Sequence, residues 1–304
     1  MSSNERFCGL YVEYVYTGTF WIYIPYSTAH RPSYPVPPPT TLVGALAAGL
    51  ARYVHSSGLD VRGEVSYEEH PYPPWYRILA ECMKSVHYAQ LDGYATIVED
   101  ITRFFQGTYV RSSNVEDPNQ RWGVKISAKM YATGCRAAVL YVVDEKKLGE
   151  HGIDLELLRK GAYSITRVGP CESVVVVERV EIARDLEIAS LSDVENDFVE
   201  QGTYFYTEIP STTIEVSPWI TIDLPNHARF REWFQGEVHR ALSTFLVPVD
   251  EAMLRMRIVA PFRWSTEIVE KIVENLDKAI GIRSRKALVF SLNGRKIVVP
   301  EPCW

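Results

Sequence analysis

Residues 31–54, RPSYPVPPPTTLVGALAAGLARYV, join a stiff proline track to a helix of small residues. Pro35, Pro37, Pro38 and Pro39 fix φ and disfavour helix in the residue before each, so the chain arrives extended. Thr40 or Thr41 then caps the helix, a hydroxyl taking one of the orphan amides of the first turn. Gly44, Ala45, Ala47, Ala48 and Gly49 keep the helix thin enough for close backbone approach to a sheet. The amides at its start suit a phosphate, and Arg31 and Tyr34 stand beside them. The same features also describe a tight packing joint without a ligand, and this stretch alone does not separate the two.

Working outward, Leu10, Val12, Tyr14 and Tyr16 alternate with Tyr11, Glu13 and Val15, a strand pattern. After the helix, Ile78, Leu79, Cys82, Met83 and Val86 repeat at helical spacing behind a proline start, predicting a helix over 74–88. Ile97, Val98, Ile101, Phe104 and Phe105 predict another short helix. Two strands follow, at 124–131 and 137–143, broken by Gly134. Asp154 caps a helix with Leu155, Leu158 and Ala162 on one face, and Gly169-Pro170 turns the chain into a valine-rich strand at 173–182.

Without the insertion the order is β-α-β-β-α-β, the ferredoxin-like order that RNA-recognition folds share with many others. The expected fold class is therefore α+β. A ferredoxin-like domain spans 1–185 with an insertion at 57–123, and a mixed α/β region spans 186–304. In that second region, 186–200 reads as an acidic loop and 202–224 as strands. Phe230, Trp233, Phe234, Val238, Ala241, Leu242 and Phe245 mark an amphipathic helix. Ser265 caps another helix that stops at Gly281, and Asn293-Gly294 is a hairpin signal.

At 304 residues the chain can bury a sizeable core, and no apolar run approaches the roughly 20 residues of a membrane span. The start lacks the features of a secretory signal, so a cytoplasmic protein is expected. The five cysteines are scattered without a CxxC pair, which fits reduced thiols and argues against zinc or a disulfide framework. Sparse Asn and Gln beside plentiful Glu, Arg, Tyr, Val and Ile lean towards a thermophile.

A net charge of −6 excludes nucleic-acid coating by bulk electrostatics, so such a role would be local. One locality stands out. Between 102 and 136 lie Arg103, Arg111, Arg121, Lys125, Lys129 and Arg136 against only Glu116 and Asp117, interleaved with Tyr109, Trp122 and Tyr131. Cations that meet phosphates and rings that stack on bases suit a single strand, though a solvated hairpin has the same composition. In SITRVGP, Arg167 can hold a phosphate bidentately and Gly169 permits close backbone approach; Gly169 reads equally well as a helix stop.

The sequence has no Walker loop, dinucleotide fingerprint, HExxH motif or nucleophile elbow, and neither metal nor cofactor is expected. Metal-independent RNA cleavage needs a base and an acid, roles that His30, Tyr34, Lys125 or Lys129 could fill; their spacing does not single them out.

Three segments, GLYVEYVYTGTF, RPSYPVPPPTTLVGALAAGLAR and YSITRVGPCESVVVVERVEI, together resemble the Cas-five family of the RAMP superfamily, ferredoxin-like RNA-binding proteins. They make up well under half of the chain, and its length and archaeal-looking composition are similar to the subtype I-A branch. The resemblance implies an RNA-binding subunit of a type I CRISPR Cascade complex in antiviral defence. Such subunits grip the 5′ handle of the crRNA, reach a thumb hairpin over the guide, and dock on the backbone and large subunits, meeting target DNA indirectly. It implies RNA contacts from Arg31, Tyr34, Thr40, Thr41, Arg103, Tyr109, Arg111, Arg121, Trp122, Lys125, Lys129, Arg167 and Gly169, with the 102–136 segment as thumb. In one branch the family itself cuts precursor crRNA without metal. The chain's net acidity and its last hundred or so residues depart from the quoted motifs.

Overall fold

The computed structural model describes residues 7–22, 24, 30–31, 33–59, 73–93, 95–105, 122–184, 186–190, 205–209, 219–248, 258–259, 286–292 and 295–300. Tyr109, Arg111, Arg121 and the helix expected after Ser265 lie outside the described residues. The first elements are β1 (Phe7–Tyr16), β2 (Thr19–Phe20), β3 (His30–Arg31), α1 (Pro39–Ser57), α2 (Pro74–Cys82) and β4 (Met83–Asp92). There follow β5 (Ala95–Phe105), β6 (Trp122–Tyr131), β7 (Arg136–Asp144), α3 (Glu145–Glu150), α4 (Leu155–Tyr163) and β8 (Val175–Ala183). The later part has β9 (Leu186–Ser190), β10 (Thr207–Ile209), β11 (Trp219–Pro225), α5 (Phe230–Phe234), α6 (Val238–Ala241) and β12 (Leu242–Pro248). It closes with β13 (Ile258–Val259), β14 (Lys286–Leu292) and β15 (Arg295–Pro300).

The architecture is mixed α/β with antiparallel sheets. A four-stranded sheet in the order β4-β7-β1-β8 forms the centre. Val12 of β1 pairs with Val139 on one side and Val180 on the other. β1 is buried nearly throughout because both faces of the sheet are covered. On one face lies α1, tied down where the Tyr141 hydroxyl donates to the Leu42 carbonyl at 3.0 Å. On the other, Phe290 of β14 packs over Gly9, where an added Cβ would come within 2.7 Å of its ring. Apolar burial of this kind supplies roughly 25 cal/mol per Å².

The small residues of α1 serve a helix, not the sheet as expected. A Cβ on Gly49 would lie 2.4 Å from the Gly161 carbonyl of α4, and one on Gly161 would lie 2.9 Å from the Leu50 Cα. The two helices cross backbone to backbone. The cap also differs from expectation: α1 starts at Pro39 with Pro38 as N-cap, and neither threonine caps it. Proline at the first helical position has no N–H to satisfy, and its φ is already helical. Asp154 does cap α4, accepting from the Leu157 N–H at 2.6 Å.

Three predicted helices give way to strands. The pattern over 74–88 is helical only to Cys82, after which β4 enters the central sheet at its edge beside β7. The sheet strand expected at 124–131 is instead β6, which belongs to a separate sheet ordered β13-β5-β6-β2. The second expected helix is β5, paired with β6 from Thr96↔Tyr131 to Phe105↔Trp122. The amphipathic pattern after Phe230 is broken by Gly236 at φ 81°, leaving two short helices and then β12. The expected acidic loop at 186–200 begins with β9, which pairs with β14. β14 and β15 form a hairpin whose last pair is Leu292↔Arg295.

Candidate nucleic-acid interface

α1 exposes one long face beyond its glycine crossing. Thr41, Gly44, Ala45, Ala48 and Arg52 recur at helical spacing and form one wall of a groove of about 500 Å³. The facing wall is the turn after α4: Thr166, Arg167, Gly169 and Pro170; Trp21 and Ile22 close the end. Small residues on α1 make the wall flat. Local hydrogen bonds make the turn rigid: Val168 N–H to Ser173 O at 3.0 Å, Ser173 N–H to Pro170 O at 2.9 Å, Val175 N–H to Thr166 O at 3.0 Å. Gly169 sits within it at φ 116°, where an added Cβ would meet Ser173 Oγ at 3.0 Å. It lies well beyond Ser164, the C-cap of α4, so its role is the turn and not a helix stop.

The groove is cationic. Arg167 is exposed, and Arg52 is exposed with its guanidinium donating to the Ser164 carbonyl. Beside it the Glu172 carboxylate is engaged: it accepts from Trp21 Nε1 at 2.8 Å and lies 3.7 Å from Lys129 Nζ. Through Glu172 the groove meets the β5–β6 ribbon. At the first turn of α1, proline at Pro39 removes one donor and the Thr41 N–H is spent on Pro38 O at 2.9 Å. The threonines therefore bring mainly hydroxyls, and the amide cradle expected there is thinner than the sequence implied.

The expected RNA contacts fall into two groups. Thr41, Arg167 and Gly169 share the groove, and Tyr34, Thr40 and Thr41 line a smaller cleft of about 200 Å³ that continues from it. Arg31, Arg103, Trp122, Lys125 and Lys129 belong to the ribbon and the strand beside it. β3 runs parallel to β6 with Arg31 opposite Ser127. The ladder sets Arg103 opposite Val124 and Lys125 opposite Thr102, so these two cations take alternating positions along it. Trp21 and Arg52 are functional candidates that the sequence reading missed. Arg52 was readable as the end of the Thr41–Gly44–Ala45–Ala48 face; Trp21 had no signal.

Of the residues considered for cleavage, Tyr34 is 3% exposed and its N–H donates to Ile22 O at 2.9 Å. Burial, reinforced by the charge of Asp223, pushes its phenol up to about 12, so it holds its proton at neutral pH. Among the described residues no group of His, Cys, Asp or Glu is placed to hold a metal ion. No helix among them is long and apolar enough to cross a membrane.

The described residues thus set a cationic groove with a tryptophan at its end beside a two-stranded ribbon, on an antiparallel α/β body. The relatives of the chain are CRISPR proteins. It is 31% identical over 171 residues to the CRISPR system aCascade subunit Cas5 1 of Saccharolobus solfataricus, covering 56% of this chain and 63% of that protein. It is 28% identical over 171 residues, with the same coverage, to the CRISPR-associated protein Cas5 3 of the same organism. The match thus spans 63% of the length of these curated relatives, and both are Cas5 proteins, as the sequence resemblance had it. No protein-family model matches. Among solved structures, a CRISPR protein from Archaeoglobus fulgidus aligns at a TM-score of 0.45 and 13% identity, over 98% of this chain and 100% of that one. A chain of a CRISPR RNA-guided surveillance complex aligns at a TM-score of 0.37 and 12% identity, over 88% and 99%.

Proposed function

We propose that this chain is a Cas5-type RNA-binding subunit of a type I CRISPR effector complex, gripping the 5′ handle of the crRNA and docking on the backbone and large subunits. The observation that carries the reading is convergence. The proline-led start of α1 and the Arg167–Gly169–Pro170 turn, more than a hundred residues apart in sequence, form the two walls of one groove. Arg167 and Arg52 would neutralise phosphates, and Trp21 would stack on a base, a contact worth about 1–3 kcal/mol. The central order β4-β7-β1-β8, with α1 and α4 on one face, supports a ferredoxin-like RAMP core. In this reading the β5–β6 ribbon is the thumb, and the two glycine-crossed helices hold the groove at constant width.

We infer binding, not cleavage. Tyr34 keeps its proton and is buried, and Lys129 lies against Glu172, so neither is poised as a general base. The test is labelled repeat RNA incubated with the chain in EDTA and run on native and denaturing gels. A shifted but intact RNA is expected, about tenfold weaker for Arg167→Glu and weakened further by raised salt. A discrete fragment in EDTA would replace this reading with a metal-independent endoribonuclease. No shift at low salt, alone or with partner subunits, would remove it.

A further inference from the structure

Glu172 has no part in the reading above. A carboxylate at the end of a cationic groove repels the phosphates that the groove is read to hold, so its position there asks for a compensating use.

Its contacts supply one. A single oxygen, Oε2, accepts from the Trp21 indole at 2.8 Å and lies 3.7 Å from Lys129 Nζ. Three stretches of chain meet on that atom: the turn after α4, the segment that leaves β2, and β6. The backbone around the meeting point is fixed. β2 pairs with β6 through Thr19↔Tyr131 and Phe20↔Met130, so Trp21 leaves the ladder beside Lys129. The Thr17 N–H and hydroxyl both donate to Val174 O at 3.1 Å, which ties the segment to the turn that carries Glu172. Beyond Trp21, the Ile22 N–H donates to Ser33 Oγ at 3.0 Å and Ile22 O accepts from the Tyr34 N–H at 2.9 Å. The main chain on either side of Trp21 is thus held, and its half-buried indole takes its direction from the bond to Glu172.

The two contacts on Oε2 differ in weight. An N–H donating to a carboxylate at 2.8 Å is a charge-assisted hydrogen bond with a defined direction. The Lys129 contact is longer, and with the Glu172 side chain 57% exposed it is a screened surface pair that contributes little. A phosphate can therefore take Lys129 over while the indole stays held.

We propose that Glu172 is a positioning residue for RNA: its carboxylate fixes the Trp21 indole across the end of the groove and ties it to β6 of the ribbon, so that groove and ribbon meet one strand in register. The inference rests on the RNA-binding reading of the groove. A merely structural clasp would show in stability and not in binding, and a bare counter-charge for Lys129 would not depend on an acceptor for the indole.

The experiment measures fluorescence anisotropy of the full chain with a labelled oligouridylate at low salt. Glu172→Gln and Glu172→Ala lose the same charge, but only glutamine keeps an acceptor for Trp21. Glu172→Gln should bind at least as tightly as the parent, and Glu172→Ala about fivefold more weakly than Glu172→Gln, with equal melting temperatures. In a Trp21→Phe background, which keeps a ring but has no N–H, the alanine and glutamine variants should bind alike. Arg167→Glu should weaken binding in every background. Equal affinities of Glu172→Ala and Glu172→Gln in the parent background would overturn the proposal and leave the groove reading in place. So would a difference between them that persists without the indole N–H, or one matched by a drop in melting temperature. If the parent does not bind, or Arg167→Glu binds as the parent does, the RNA-binding reading falls and takes this one with it.

Discussion

Around α1 the chain packs backbone on backbone; along β4 it joins its later strands through buried polar groups. At the first joint, Gly49 and Gly161 leave no room for a methyl group. At the second, the Tyr206 N–H donates to Tyr88 O at 2.9 Å and the Tyr206 hydroxyl to Pro37 O at 3.1 Å. His87 lies between Tyr206 O at 3.1 Å and Ser85 Oγ at 2.9 Å. His227 Nε2 lies 3.4 Å from Met83 O, and Asn226 Nδ2 donates to Ser243 Oγ at 3.0 Å. A steric joint is indifferent to solution conditions and intolerant of any added atom. A polar seam accepts similar shapes but answers to protons. The groove between α1 and the turn after α4 rests on the first kind, and the cleft wall from α5 and β11 rests on the second.

The largest break would come at the steric joint. Gly49→Val should abolish the soluble folded state, since overpacking by a single methylene already costs about 1–3 kcal/mol and here the obstacle is main chain; soluble yield and circular dichroism measure it. Acid should open the seam next. Burial, the leading cause at both, lowers His87 and His227 to about 4, so the fold keeps them neutral while the unfolded chain titrates near 6.5. The unfolded state then binds more protons. Stability is full above about pH 6.5 and lost as pH falls towards 4, by up to about 3 kcal/mol per histidine. Burial raises the Glu208 carboxyl and works the other way at the acid end. Urea melts at pH 7.5 and pH 5 should show a lower midpoint in acid; equal midpoints would break the contrast.

Asn226→Ala comes next. Asn226 caps the turn before α5 through the Ala228 N–H at 3.0 Å and holds Ser243, so its loss should cost about 1–2 kcal/mol. The smallest effect has the opposite sign. Tyr76→Phe should stabilise the free chain by about 1 kcal/mol, because it deletes a buried hydroxyl with no partner among the described residues; thermal melts check it.

Local grammar carried part of this structure. Alternation in Leu10–Val12–Tyr14–Tyr16 and the proline-led small-residue helix were legible, as was the Asp154 cap. β4 was not, because MKSVHYAQL is buried on both faces and so lacks the period of two that betrays a half-exposed strand. β5 misled for another reason: Ile97, Val98, Ile101, Phe104 and Phe105 happen to fall at helical spacing, while the pairing that decides their conformation comes from β6. For the site, the walls were readable separately. Their meeting, and the arrival of Trp21, depend on how α1 crosses α4, which follows from a clash-free contact between two glycines far apart in sequence.

That crossing has a consequence for temperature. Side chains sample more rotamers as a protein warms, and a cleft spaced by leucines or methionines gains slack. Here Thr41, Gly44, Ala48 and Arg52 share one helix with Gly49, and the opposite wall follows Gly161 within a few residues. The distance between the walls is a gauge cut from peptide planes, which have no rotamers to lose, so the groove should keep its calibre over the range in which the fold survives.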